Sequence, residues 1–399
     1  HGMIDITHMQ NQIEMNKRKE WLSKHPYKIW EDQNGIWHTY LPDENKGRVP
    51  RKRTTKKALE DVIIQYWKKE SEVTIKDGFY AWLDRNLSYG FIQKNSYQRY
   101  VRDFQRFFED DRKFYKKSLL SLEPNTLCEF ILESISKYKL TSKGYGNLRT
   151  IVNGIFKYAK SQKWIDWSIS QTMKALDIPK KAFRQRVIED NAEVFDDDEI
   201  LLISQYITGN PDVKNLGILL LFCTGLRIGE LVALKWSDVT DFSSIKIRRT
   251  ETFYNDETNK NKIIYEIKDF PKTEAGVRTA VVPKQFQPIL KRLYLLTGKH
   301  EFIFTNLKGE RMKALTIRKR LYRICDEVGI KRRSPNKMRK TYASILLDNK
   351  IDVNLVVSMM GHTQITTTEM HYHRNRKSEL KKQEILSQIP EFSNVIKQA

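Results

Sequence analysis

Between Val73 and Leu176 apolar residues recur three and four positions apart, as in "YQRYVRDFQRFFED" and "YGNLRTIVNGIFKYAKSQKW". That spacing gathers them on one face of a helix and predicts a bundle of four or five helices, with lysines and arginines outside. Ahead of the bundle, Asn34-Gly35 separates the two aromatic-rich runs of "YKIWEDQNGIWHTYLP", a pair suited to the tight turn of a β-hairpin. Beyond it, "EILLISQYITGN" and "GILLLFCTGLRIGELVALKW" read as buried helices, whereas "SSIKIRRTETFY", "IIYEIKDFPKT" and "RTAVVP" alternate like strands of a small antiparallel sheet. In "SPNKMRKTYAS", Ser334 and Pro335 suit the cap and first position of a helix. Its core face is marked by Met338, Tyr342, Ile345 and Leu346, with Asn336 and Arg339 three apart on one edge. The final stretch, "SELKKQEILSQIPEF", predicts a short amphipathic helix through Ile385, Leu386, Ile389 and Phe392.

The periodicity lapses in "LDIPKKAFRQRVIEDNAEVFDDDE", where a proline, a basic cluster and an acidic cluster mark a linker. The expected organisation is a multidomain, mainly α chain with small antiparallel β-sheets. Its segments are a small sheet with one helix at 1–70, a helical bundle at 71–176, the linker at 177–195, an α+β domain at 196–378 and a helical tail at 379–399. Composition adds a partner: 71 Lys and Arg against 49 Asp and Glu, a formal net charge of +22, favour a polyanion, and nucleic acid first. No apolar run spans a bilayer and no signal-peptide pattern opens the chain, so a membrane partner is not expected and the cytoplasm is. The opening His1-Gly2 ahead of Met3 reads as a cloning remnant. Cys128, Cys223 and Cys325 stand apart among apolar residues, as reduced core residues do. Arg48, Arg51, Lys52, Arg53, Lys56 and Lys57 crowd together just before a helix. They suit either a basic strand that reads a DNA groove or a flexible arm that adds electrostatic affinity alone.

Four stretches put reactive groups where a core pattern prefers apolar ones. In "TGLRIGEL" a buried helix breaks at Gly225 and Arg227 stands at the next helix start, where a guanidinium pairs with phosphate oxygens and Glu230 can brace it. In "FPKTEAGVRTAVVP" Lys272 lies at a hairpin between strands, from which an ammonium can protonate a departing oxygen. Arg339 sits near the helix start at Ser334. In "MGHTQITTTEMHYHRNR" His362 follows a helix-stopping Gly361, and Tyr372, a candidate nucleophile, lies in the next helix between His371 and His373. A zinc site of His362, His371 and His373 is the rival reading, weakened because the last two do not share a helix face. Each stretch by itself also fits a structural role.

In order, Arg, Lys, Arg, His and Tyr in "TGLRIGELVALKWSDV", "PKTEAGVRTAVVP", "NKMRKTYAS" and "MGHTQITTTEMHYHRNR" closely resemble the tyrosine recombinase, or phage integrase, family. The likeness covers the chain from about residue 190, and the sheet and bundle before it resemble the arm-binding and core-binding domains of integrases from conjugative transposons. The resemblance implies phosphoryl transfer with no metal and no cofactor. Tyr372 would attack a scissile phosphate of double-stranded DNA, leaving a 3′-phosphotyrosyl bond and a free 5′-hydroxyl. Arg227 and Arg339 would clamp the non-bridging oxygens, Lys272 would protonate the leaving oxygen and His362 would hydrogen-bond the phosphate. Lys337 and Lys340 are left as DNA-backbone contacts or solvated charge. Also implied are a homotetramer on core and arm DNA sites and a directionality factor for excision. The tail helix would dock on a neighbouring protomer or on its own domain. One position departs: the family usually has histidine, sometimes lysine, where Asn336 stands, and an amide cannot exchange a proton at neutral pH. A site-specific recombinase of a mobile element is the expected function. The alternatives are a type IB topoisomerase-like enzyme and a catalytically weakened DNA-binding architectural protein.

Overall fold

In the computed structural model the residues described are 6–388, apart from 44–45, 111–113, 186–188, 257, 260–261, 270–275, 362–375 and 378. The chain forms two compact units, His1–Gln185 and Arg186–Ala399.

The first unit opens with helix α1 (Ile6–Ser23) and an antiparallel sheet of β1 (Trp30–Glu31), β2 (Trp37–Asp43) and β3 (Gly47–Arg53), in the order β1-β2-β3. The Asn34-Gly35 turn joins β1 to β2: Gly35 takes φ +75°, and Asp32 accepts from the backbone N–H of Asn34 and Ile36, both at 2.9 Å. Helix α2 (Lys56–Glu70), capped by the Thr55 hydroxyl on Ala58 N, lays Leu59 and Ile63 against Leu41 of β2. The periodic stretch that follows forms five α-helices: α3 (Ile75–Ser88), α4 (Lys94–Phe108), α5 (Pro124–Lys137), α6 (Ser142–Ser161) and α7 (Ile169–Ala175). Their core is aromatic, with Phe79 stacked on Phe104 and Phe114 on Phe130 at 4.0 and 3.9 Å between ring centroids. The aromatics at helical spacing are thus packing residues. Among the described residues no helix is long and apolar enough to cross a membrane.

The second unit begins with the short α8 (Asp190–Glu193) and α9 (Asp197–Gly209), whose start is a reciprocal capping box between Asp196 and Glu199. Helix α9 is one-sided where a buried helix was expected, since Leu201 and Leu202 face solvent. Helix α10 (Val213–Thr224) is the central one, buried nearly all round, and α11 (Ile228–Leu231) follows a three-residue break after it. Strands β4 (Val239–Thr240), β5 (Ser244–Ile247), β6 (Thr250–Asn255), β7 (Ile263–Lys268) and β8 (Arg278–Val281) make two sheets where one was expected: β4-β5-β8, and the hairpin β6-β7. The run "SSIKIRRTETFY" is split at Arg248-Arg249, and Arg249 leaves the strand to pair with the buried Asp238. Helices α12 (Gln287–Thr297), α13 (Ala314–Glu327), α14 (Pro335–Asp348) and α15 (Val353–Met360) complete the core, before a last helix, Glu379–Ser387. Within that last helix Ile385 and Leu386 are about half exposed, and the other two apolar positions expected there, Ile389 and Phe392, lie outside the described residues. The three cysteines are free, with Cys223 and Cys325 buried and Cys128 only partly so.

Candidate active site

Helix α10 stops at Gly225, which turns left-handed at φ +61°. A Cβ there would stand 2.3 Å from Cδ1 of Tyr342 on α14, so both the conformation and the packing call for glycine. The turn delivers Arg227 to the cap position of α11, and Glu230 at the third helical position reaches back to it. The Glu230 carboxylate accepts from Arg227 N at 2.9 Å and from Arg227 Nη1 at 2.8 Å. The expected brace is present, and its two ends differ: the Arg227 side chain is 40% exposed while that of Glu230 is 1% exposed.

A buried carboxylate needs more than one half-exposed cation, and a second comes from β8. Arg278 donates from Nη1 and Nη2 to the two oxygens of Glu230, at 3.2 and 2.8 Å. Burial pushes the Glu230 carboxyl up, but the Arg278 hydrogen bonds and the charges of Arg278, Arg227 and Arg339 outweigh it and hold the group below its usual range. Arg339, on α14, is also inside the fold and not at the rim of the core, with its side chain fully buried. It donates to Gly225 O at 2.5 Å and to Met360 O.

These three arginines converge on one short piece of backbone. Helix α15 ends in a left-handed Gly361 at φ +60°, whose N–H returns to Ser358 O and Val357 O, and the carbonyls after these lie beyond the helical hydrogen-bond pattern. Met359 O accepts from Arg278 Nε at 3.0 Å, Met360 O from Arg339, and Gly361 O from Arg227 Nη2 at 3.5 Å. Cations at a helix C-terminus also meet its negative dipole end. Three guanidiniums around one carboxylate leave a cluster with spare positive charge. The chain that leaves this clamp carries His362 and Tyr372. Both lie outside the described residues, as do His371, His373 and Lys272, so the zinc alternative falls there too. Lys272 belongs to the connection from β7 to β8, and β8 starts with Arg278.

The remaining candidates separate into two groups. Asn336 is exposed in the first turn of α14, one turn before the buried Arg339. Ser334 takes the cap position of that helix, but its hydroxyl makes no capping hydrogen bond. Lys337 and Lys340 both bind the carboxylate of Glu193 on α8, a residue with which sequence reasoning had not paired them. Burial raises the Glu193 carboxyl, yet the hydrogen bonds from Lys337 and Lys340 override it and bring it to about 2.

In the first unit Arg48, Arg51, Lys52, Arg53, Lys56 and Lys57 are all exposed. The register pairs His38 with Lys52 and Pro42 with Arg48 on one face, and Thr39 with Arg51 and Trp37 with Arg53 on the other, which also carries Leu41. On the face away from Leu41, Trp30 stacks on His38 at 5.5 Å and Arg48 lies 4.4 Å over Tyr40. The basic run is therefore a strand, and a row of aromatic side chains accompanies its cations on that face. Neither Arg278 nor this row was singled out from sequence. A period-two reading of "RTAVVP" offered the signal for Arg278, because it shares the inward side with the buried Ala280 and Val282.

The phage integrase family matches residues 193–379. The tyrosine recombinase XerC-like protein of Caldanaerobacter subterraneus subsp. tengcongensis is 26% identical over 321 residues, 75% of this chain and 79% of that protein. The integrase of Staphylococcus phage L54a is 22% identical over 359 residues, 83% of this chain and 99% of its own. The fold is similar to that of the Tn1549 transposon integrase in complex with transposon right end DNA, with a TM-score of 0.61 at 17% identity over 79% of this chain and 99% of that one. It is also similar to a lambda integrase tetramer bound to a Holliday junction, with a TM-score of 0.52 at 16% identity over 88% of this chain and 96% of that one. With its arginines gathered on one clamp, the second unit carries a phage integrase family domain over residues 193–379, and the chain resembles tyrosine recombinases in sequence and in fold.

Proposed function

We propose that this recombinase inserts and excises a mobile element, cutting double-stranded DNA through a 3′-phosphotyrosyl intermediate. The observation that carries the reading is the convergence of Arg227, Arg339 and Arg278 on the three carbonyls that precede His362 and Tyr372. In the reaction the Tyr372 oxygen bonds to phosphorus as the P–O5′ bond breaks. Arg227 and Arg339 neutralise the non-bridging oxygens, whose charge grows in the pentacoordinate transition state. Lys272 gives the leaving 5′-oxygen its proton and His362 hydrogen-bonds the phosphate. Asn336 can donate to the phosphate but cannot take the proton of Tyr372, which leaves to water or to His371. The 5′-hydroxyl of a second cleaved strand then attacks the phosphotyrosine, so the bond energy is conserved without ATP or a metal.

Strand exchange of this kind joins two duplexes, and we infer a homotetramer on DNA, the assembly in which the similar lambda integrase is bound to a Holliday junction. The first 70 residues are proposed as an arm-type DNA-binding domain that acts through Arg48, Arg51, Lys52, Arg53, Lys56 and Lys57. Residues 71–176 are proposed as the core-binding bundle, 177–195 as linker, 196–378 as the catalytic domain and 379–399 as a docking tail. A directionality factor would bias excision, and the cytoplasm is the compartment that suits the reaction.

A nicked duplex carrying the core site tests the chemistry. Wild-type protein is expected to form a covalent adduct with it, and Tyr372→Phe to form none. An adduct that persists in the phenylalanine variant overturns Tyr372 as nucleophile, and no wild-type adduct under any condition points to an architectural DNA-binding protein.

A further inference from the structure

Arg278 touches three parts of the site at once. Its two terminal nitrogens hold both oxygens of Glu230, at 3.2 and 2.8 Å, and Nη1 also reaches Gly276 O at 3.2 Å, at the end of the connection that carries Lys272. Its Nε donates to Met359 O at 3.0 Å, two residues before Gly361. The side chain is 6% exposed and Glu230 covers the fork, so Arg278 has no open donor face to offer a phosphate. What it can do is hold Glu230, and Glu230 in turn holds both the main-chain N–H and the guanidinium of Arg227.

We propose that Arg278 is a positioning residue: it fixes Arg227 through Glu230 and ties the end of α15 to the strand that follows the segment carrying Lys272. Lysine cannot replace it. One ammonium on a flexible stem does not supply two parallel donors to a carboxylate and a third to a carbonyl on the opposite side. The role rests on the phosphoryl-transfer reading above, in which Arg227 neutralises a non-bridging oxygen. The plain alternative is a buried ion pair that holds the fold together and affects every reaction equally.

A change of substrate separates the two. In a methylphosphonate a methyl group replaces one charged oxygen at the scissile position, so the charge that Arg227 serves is gone while Tyr372 still attacks phosphorus. Full-length wild-type protein, Arg278→Gln and Arg278→Lys are compared in single-turnover cleavage of nicked core DNA carrying either linkage. On the phosphodiester the glutamine variant should cleave about 100-fold slower, the loss typical of a catalytic group displaced by roughly 1 Å, and lysine should recover only part of it. On the methylphosphonate both variants should come close to the wild-type rate, and core-DNA affinity should be unchanged on either linkage. An equal deficit on the two linkages in both variants, or a phosphodiester rate equal to wild type, overturns the positioning role. A wild-type protein that forms no adduct overturns the functional reading, and this role with it.

Discussion

Two dense basic clusters among the described residues use the same residue types in opposite ways. Around Glu230, arginines from α10–α11, β8 and α14 are buried or half-buried, and each donates to a carboxylate, a main-chain carbonyl or both. On β3 and the start of α2, six cations stand exposed. Their own contacts are slight: Arg51 and Arg53 reach the carbonyls of Pro50 and Lys52 next to them, and Arg48 and Lys56 lie over Tyr40 and Trp37. A guanidinium taken out of water must be given directional partners, and those partners fix where it points. An exposed one keeps its hydration and many conformations, and offers charge more than geometry. The first arrangement suits a reaction in which the position of one anion sets the rate, and the second suits holding a long polyanion.

Substitutions in the two clusters should therefore fail differently. Arg339→Gln removes the donors to Gly225 O and Met360 O and leaves both carbonyls inside the fold. Cleavage should fall by about 100- to 1,000-fold, as when one preorganised donor to a developing oxyanion is lost. Stability to denaturant should fall by about 2 kcal/mol for the unpaired groups. Normal cleavage with weaker DNA binding would mean that Arg339 serves DNA affinity as the exposed cations do, and would break the comparison. On the strand, changing Arg48, Arg51, Lys52 and Arg53 together to alanine should lower arm-DNA affinity and flatten its salt dependence. The slope of log K against log salt should drop by about 3 to 4, or roughly 0.9 per phosphate contact removed. Core cleavage should be untouched and stability should move by no more than about 0.5 kcal/mol, as for surface substitutions. A large stability loss would show these side chains to be structural.

The two clusters were also unequally legible in the sequence. Local signals read well: the glycine turn at Asn34-Gly35, the break at Gly225, the bundle's periodicity and the Arg227–Glu230 brace each follow from residues a few positions apart. The basic strand was half-legible, because the run of cations is plain but its division between two faces follows from pairing with β2. The burial of Arg339 was missed, since helical spacing placed it on an edge whereas its partners are carbonyls on other elements. Arg278 is the same case, an arginine at an inward strand position whose reason lies 48 residues away in Glu230. Lys272, His362 and Tyr372 lie outside the described residues, and their roles rest on the sequence motifs alone.

Glu193 tests the contrast at its smallest scale, because it gives two lysines of α14 an intermediate status, neither buried like Arg339 nor open like Arg48. Its carboxylate binds Lys337 and Lys340 across 144 and 147 residues of chain and is held at about 2 in the fold against an ordinary 4.5. A depressed folded value means that the stabilisation is complete above about 4.5 and is lost as pH falls towards 2. Wild type should therefore exceed Glu193→Gln by about 1 to 2 kcal/mol at neutral pH, a figure reduced for partial solvent screening, and the gap should close between pH 4.5 and 2 in acid-unfolding curves. DNA affinity should move the other way. With their counter-charge gone, Lys337 and Lys340 become available to phosphates, and the salt slope for core DNA should steepen by up to about 2. A variant that loses stability and DNA affinity together would mean that Glu193 aims these lysines at the backbone, which would place them with the arginines of the clamp and not with the cations of the strand.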